Sequence, residues 1–168
     1  LPPHHPAVLA FVPGMNPPES PPTNPMGKVP ALRHGDTVVT EVAAICAYLA
    51  DRFPEKQLAP AANSPERGPY YRWLFFMAGP FEMATSAKAY GWRIDDDNVQ
   101  AVGSGRLEDV IRALEGALAK GPYICGKQFT AADILVSSSL GWEKMQKTSP
   151  PQETYQKPDP KTIIHRRS

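Results

Sequence analysis

The sequence predicts an α+β protein, in which a short β-hairpin near the N-terminus is followed by a largely helical region. Two β-prone runs, residues 29–33 and 37–39, flank His34-Gly35-Asp36, whose composition is typical of a tight turn. After the hairpin, apolar residues recur at intervals of three and four, which is the helical period. Ten of the 20 prolines fall in residues 1–30 and four in residues 150–160, so the regular structure is expected between them.

The hairpin contains a proline at an informative position. Because Pro30 has no N–H, its strand must begin there or lie at a sheet edge. X-Pro bonds adopt the cis form at low cost, so a tight bend is expected at Val29-Pro30. Such a bend leaves the backbone N–H and C=O of Val29 outside the ladder, where they can pair with an extended ligand.

The segment "TEVAAICAYLADRF", residues 40–53, predicts the first helix. Its apolar residues share one helical face: Val42, Ile45, Cys46, Leu49 and Phe53. Thr40 is predicted as the N-cap, and Pro54 as the stop. Residues 55–65 have the composition of a linker, so we expect one domain over residues 1–54 and a second, helical domain over residues 66–168.

The helical domain is predicted to start with Ser64 as the N-cap and Pro65 at the first helical position. Gly79-Pro80 should kink this helix rather than end it, because apolar periodicity resumes at Phe81. A second helix is predicted over residues 106–121 and should end at Gly121-Pro122. Its apolar stripe consists of Leu107, Ile111, Leu114 and Leu118.

A last helix is predicted to start after Thr130, with that residue as its cap. Asp133 can reach back to the Thr130 N–H, as in a capping box, and Phe129 and Ile134 stand at the positions of a hydrophobic staple. Asp133 is therefore interpreted as structural rather than catalytic.

Composition excludes several function classes. The 18 basic and 17 acidic residues nearly cancel, and the one basic cluster is His165-Arg166-Arg167 at the end, so no nucleic-acid partner is implied. The two cysteines give neither a disulfide framework nor metal-ligand spacing, which favours reduced thiols and a cytoplasmic location. No apolar run approaches the ~20 residues of a membrane span. Nucleotide-binding, zinc-protease and hydrolase motifs do not occur.

Three segments, taken together, resemble a known family. "NPMGKVPAL", "VTEVAAICAYLADRFP" and "FTAADILVSSSLGW" occur in the order and spacing typical of bacterial glutathione S-transferases, and the match extends over about residues 24–142. The resemblance implies a thioredoxin-like N-terminal domain, here only partial, followed by an all-helical C-terminal domain. It also implies conjugation of the glutathione thiolate to small electrophiles, with glutathione as co-substrate and no other cofactor or metal.

The resemblance further implies which residues hold glutathione. Pro30 resembles the family's cis-proline, which exposes the Val29 backbone to the cysteinyl part of the tripeptide. Glu41 matches the acidic or amide residue that holds the γ-glutamyl ammonium, and Lys28 sits where a polar side chain reaches the peptide. Val42 stands where a serine is common, so the N–H for the γ-glutamyl carboxylate is kept but a hydroxyl is lost. A lost hydrogen bond to a charged group costs about 1.5–3 kcal/mol, which should weaken binding.

The local chemistry agrees with this interpretation. Glutathione carries carboxylates at both ends, and the N-terminus of the helix after Glu41 offers free N–H groups and partial positive charge. Lys28 can supply charge-assisted bonds. Cys46 lies on an apolar helix face and Cys125 in a loop, so both are interpreted as structural.

The catalytic residue is unknown from the sequence. Family members carry a Ser, Tyr or Cys after a first strand, but here only residues 7–12 could form that strand, and Ser20 and Thr23 are flanked by prolines and wrongly placed. Residues 147–168 offer little helical pattern. If the sequence is complete, conjugation is expected near the uncatalysed rate. A non-catalytic binding or interaction module on the same fold is therefore the alternative, and a glutathione-dependent isomerase, peroxidase or dehalogenase is a third.

The helix after Pro65 is apolar on two sides. One stripe contains Tyr70, Trp73 and Met77, and the other contains Tyr71, Leu74, Phe75 and Ala78. A helix that is apolar nearly all round must be buried on two sides. One side can pack on the helix over residues 106–121, and the other predicts a homodimer, as the family resemblance also implies.

Overall fold

The computed structural model describes residues 7–9, 24–26 and 28–146 of the 168-residue chain. Ser20, Thr23, residues 10–12 of the predicted first strand and residues 147–168 lie outside the described residues. Three strands, β1 (Ala7–Leu9), β2 (Ala31–His34) and β3 (Thr37–Thr40), form one antiparallel sheet in the order β1-β2-β3. The predicted hairpin is confirmed, with Gly35 at φ 59° in the turn, and the Val29–Pro30 bond is cis.

Helix α1 (Val42–Arg52) follows the hairpin directly. The prediction that Thr40 caps this helix is wrong, because Thr40 is the last residue of β3 and pairs with Ala31. The N-cap position belongs to Glu41, whose φ of 69° and ψ of 123° turn the chain from strand into helix. A 3₁₀ turn (Pro54–Lys56) follows α1.

The next helix is kinked, as predicted. Helix α2 (Arg67–Phe76) passes through a π-helical turn (Met77–Phe81) into helix α3 (Glu82–Tyr90). Pro80 cannot donate to the carbonyl four residues earlier, and the wider turn accommodates it without ending the helix.

The start of this helix differs from the prediction. Ser64 and Pro65 form a turn, and α2 begins two residues after Pro65, at Arg67. The Ser64 hydroxyl still accepts the Glu66 N–H at 3.3 Å, so the predicted cap stabilises the preceding turn instead.

Helix α4 (Leu107–Leu118) and helix α5 (Ala131–Gln146) complete the bundle. The core between the helices includes Tyr70, Trp73 and Leu74 of α2, Leu114 of α4 and Val136 of α5. Within residues 7–9, 24–26 and 28–146, no helix is long and apolar enough to cross a membrane.

Asp133 occupies the predicted position at the start of α5. Its Oδ2 accepts the Thr130 N–H at 2.8 Å and the Thr130 hydroxyl at 3.0 Å, which confirms the reach back to the cap residue. The staple between Phe129 and Ile134 stays a prediction; the Phe129 ring packs edge to face on Tyr123.

Several polar contacts join α1 and the segment after it to the helical region. The buried Arg67 side chain donates to Asp51 at 2.5 Å and to the Pro60 carbonyl at 2.6 Å. The Ala131 N–H donates to the Leu58 carbonyl at 2.7 Å. The domain boundary at residues 55–65 stays a prediction.

Candidate functional site

The hairpin register brings the two halves of the predicted site together. Ala31 pairs with Thr40 at the end of the β2–β3 ladder, so the next residues outward are Pro30 and Glu41, followed by Val29 and Val42. Antiparallel partners lie about 4.5–5.5 Å apart between Cα atoms. Lys28 is 13 positions from Glu41 and 14 from Val42 in the sequence, and the hairpin therefore brings these residues to the same end of the sheet.

This end of the sheet is accessible. Val29 is 48% exposed and Val42 39% exposed. Lys28 and Glu41 are also exposed, and Pro30 is half-buried. Strand β2 begins at Ala31, so the backbone of Val29 lies outside the ladder of the described strands. A peptide-like ligand can reach all five residues from solvent.

Glu41 has a conformation that L-residues rarely adopt. Its φ of 69° with a ψ of 123° lies outside the ordinary left-handed helical region, and its side chain makes no capping bond to α1. Strained residues of this kind cluster at ligand-binding and catalytic sites. Sequence reasoning missed the strain, because glutamate carries no preference for positive φ.

The N-terminus of α1 supplies hydrogen-bond donors next to Glu41. The first helical bond runs from the Ile45 N–H to the Glu41 carbonyl at 2.9 Å. The N–H groups of the preceding residues, Val42 among them, have no intrahelical acceptor, and they carry the positive end of the helix dipole. This end of the helix therefore favours an anionic group.

Asn24 supports the segment that carries Lys28, and sequence reasoning missed it. Its side chain is 7% exposed. Nδ2 donates to the Lys28 carbonyl at 2.9 Å, and Oδ1 accepts the Met26 N–H at 2.9 Å. The second bond is an Asx turn, which the Asn-Pro pair of the sequence could have indicated.

The two cysteines are not suited to act as thiolate nucleophiles. Burial raises the pKa of both Cys46 and Cys125. For Cys125, a weak hydrogen bond from the Thr130 hydroxyl, at 3.8 Å, acts in the opposite direction but is the smaller effect. Reactive cysteines have a lowered pKa instead. Asp133 is buried as well; burial raises its pKa, and its hydrogen bonds to Ile124 and Thr130 oppose that rise.

No metal centre is apparent in the part of the chain that the structure describes, since no three metal-ligating side chains cluster there. The Tyr48 hydroxyl lies 2.7 Å from Nδ1 of His34, which joins α1 to the hairpin turn.

Comparison with family models gives two matches. Residues 4–57 match the model described as glutathione S-transferase, N-terminal domain, and residues 36–142 match the one described as glutathione S-transferase, C-terminal domain. The chain is also 34% identical over 121 residues to glutathione S-transferase GstA of Escherichia coli O157:H7, covering 71% of this chain and 59% of that protein. It thus spans about three fifths of that relative's length.

Solved structures agree. A glutathione transferase from Methylococcus capsulatus superimposes with a TM-score of 0.61 at 33% identity, covering 74% of this chain and 62% of that one. A sphingomonad glutathione S-transferase complexed with glutathione gives a TM-score of 0.58 at 32% identity, covering 73% and 61%. These matches confirm the predicted fold class, a thioredoxin-like region followed by a helical domain.

Proposed function

The chain belongs to the glutathione S-transferase family, and from this premise we propose that it binds glutathione at the end of the β2–β3 hairpin and conjugates it to small apolar electrophiles. The observation that supports the proposal best is the pairing of Ala31 with Thr40, since it sets an exposed backbone edge beside a strained glutamate and a helix N-terminus.

Four of the five predicted residues each bind one part of the tripeptide, and the fifth, Pro30, gives the bend that exposes the Val29 backbone. The backbone of Val29 pairs with the cysteinyl residue, Glu41 accepts hydrogen bonds from the γ-glutamyl ammonium, and the Val42 N–H donates to the γ-glutamyl carboxylate. The Lys28 side chain contributes a charge-assisted bond to the peptide. A helix N-terminus and a lysine both favour anions, so this site suits a ligand that carries carboxylates better than a neutral or cationic one.

The chemical step is attack of the glutathione thiolate on an electrophilic carbon. A carbon–sulfur bond forms, the thiol proton passes to solvent or buffer, and the displaced leaving group carries away its electron pair. The protein's task is to favour thiolate over thiol with hydrogen-bond donors. The residue that does so is not assigned, because neither described cysteine has a lowered pKa and Ser20 and Thr23 lie outside the described residues.

Two measurements test the proposal separately. Titration calorimetry with glutathione should show saturable binding, and conjugation to a chromogenic aromatic electrophile should exceed the uncatalysed rate. Absence of binding would overturn the whole proposal. Binding with conjugation no faster than the uncatalysed reaction would overturn the transferase part and leave a non-catalytic glutathione-binding module.

We also propose that the protein acts as a homodimer in the cytoplasm. Tyr71 and Phe75 are exposed on one face of α2, with Phe75 67% accessible, and such a face is stabilised by a second copy. Leu74, which the sequence assigned to the same stripe, is buried in the core, so the exposed stripe is narrower than predicted.

A further inference from the structure

Asn24 stands out among the buried polar side chains because it is joined to the candidate site and to no helix of the described fold. Its side chain donates one hydrogen bond and accepts another, and both run to the backbone of the short segment that ends at Lys28. The amide nitrogen donates and the amide oxygen accepts, and both partners lie within four residues of Asn24 in the sequence.

We infer that Asn24 is a positioning residue for glutathione: it fixes the backbone of Lys28, and through it the backbone edge of Val29. This inference rests on the proposed function of the same site. Asn24 itself does not contact the ligand. It acts through the carbonyl of Lys28, which its Nδ2 holds at 2.9 Å.

The physical reason is the cost of ordering an exposed segment. Met26, Lys28 and Val29 are exposed, so they have little packing of their own to fix them. When a ligand binds to an exposed backbone that is not yet ordered, part of the binding free energy is lost to ordering it. A preorganised backbone does not carry this cost, so the ligand binds more tightly. The buried Asn24 amide keeps this backbone ordered, because any movement of the segment away from Asn24 would leave the buried amide without its hydrogen-bond partners, which costs free energy.

The chain offers a matched control. Asn98, a half-buried residue in the segment between α3 and α4, also makes one bond of each kind: its Oδ1 accepts the Asp95 N–H at 3.0 Å and its Nδ2 donates to the Arg93 carbonyl at 3.0 Å. The segment between α3 and α4 contains none of the candidate site residues. Asn98→Ala therefore removes an equivalent pair of side-chain bonds without acting on Lys28.

The first experiment measures glutathione affinity by calorimetry for the wild type, Asn24→Ala and Asn98→Ala. Asn24→Ala should weaken binding by about tenfold or more, the scale expected when a positioned group is released. Asn98→Ala should leave the affinity unchanged within about twofold. Equal affinity of the wild type and a folded Asn24→Ala would overturn the inference while leaving the proposed function standing.

A cycle with Lys28→Ala separates positioning from general loss of structure. If Asn24 acts by placing Lys28 and its neighbour, Lys28→Ala should cost less affinity in the Asn24→Ala background than in the wild type. Strictly additive effects would contradict the inference.

A third readout does not need glutathione. Trypsin should cleave after Lys28 faster in Asn24→Ala than in the wild type, with cleavage after Arg93 unchanged. If the wild type binds no glutathione, the proposed function is overturned, and so is the role of Asn24 in ligand binding. If cleavage after Lys28 is equally fast in the wild type and in Asn24→Ala, the inference that Asn24 positions this backbone is overturned.

Discussion

The backbone N–H of Ile124 donates to Oδ1 of Asp133 at 2.7 Å, across nine residues of sequence. The other carboxylate oxygen accepts the Thr130 N–H at the start of α5. One carboxylate thus joins the loop after α4 to the first turn of α5, and both bonds are buried. The bond to Ile124 gives Asp133 a structural role larger than the helix cap that its position in the sequence predicts.

Asp133→Ala should therefore cost more than an ordinary cap. Loss of a cap alone costs about 0.5–2 kcal/mol, whereas each buried donor left without an acceptor costs about 1–3 kcal/mol. We expect the free energy of unfolding to fall by about 2–4 kcal/mol, measured by urea denaturation. Asp109→Ala, which removes an exposed carboxylate paired with Arg112, is the control and should change stability by less than about 1 kcal/mol. Loss of turnover at unchanged stability would show that Asp133 is catalytic.

Glu41 gives a prediction in which stability and binding change in opposite directions. Glu41→Gly removes a side chain from a strained backbone position, so it should raise the melting temperature, since such strain costs about 1–3 kcal/mol. The same change removes the proposed partner of the γ-glutamyl ammonium, so retention on immobilised glutathione should be lost. A Glu41→Gly protein that binds glutathione as well as the wild type would contradict the assignment of Glu41.

Val42→Ser should strengthen glutathione binding. The substitution restores a hydroxyl beside the helix N-terminus, and a hydrogen bond to a charged group contributes about 1.5–3 kcal/mol, equivalent to about 10–150-fold in affinity. Val42→Ala removes the apolar side chain without adding a hydroxyl and is the matched control. Calorimetry that finds the serine and alanine variants alike would show that the γ-glutamyl carboxylate does not bind at this position.

Phe75→Glu should convert the protein to a monomer. The side chain lies on the exposed face of α2 with Tyr71, so a charge there would be buried without a partner in a dimer. Light scattering at micromolar concentration measures the mass. Trp92→Glu changes another exposed aromatic residue, beyond α3, and should leave the mass unchanged. A monomeric wild type would remove the dimer and the proposed role of the Tyr71 and Phe75 face.

Local signals in the sequence predicted most of the helices and the hairpin. The turn at Gly35, the kink at Pro80 and the reach of Asp133 to Thr130 each depend on residues within four positions of one another. Such short-range features follow from backbone chemistry, and the structure confirms them. The site residues could be nominated because "NPMGKVPAL" and "VTE" resemble a family, and their roles in binding stay predictions.

Sequence patterns were enough to predict the order of hairpin and helices and the family, both of which are confirmed, and to nominate the residues of the candidate site, which stay a prediction. Where the first helix begins depends on tertiary structure, because the pairing of Thr40 with Ala31 takes Thr40 into the sheet and leaves Glu41, at positive φ, as the N-cap residue. Tertiary structure also decided that Leu74 is buried while Phe75 is exposed, and that Asp133 reaches Ile124. Periodicity shows that a helix has two apolar sides, but which side is covered depends on what packs against it. Contacts between residues distant in sequence leave no local pattern in the sequence, and such contacts decide which side chains of the helices are buried.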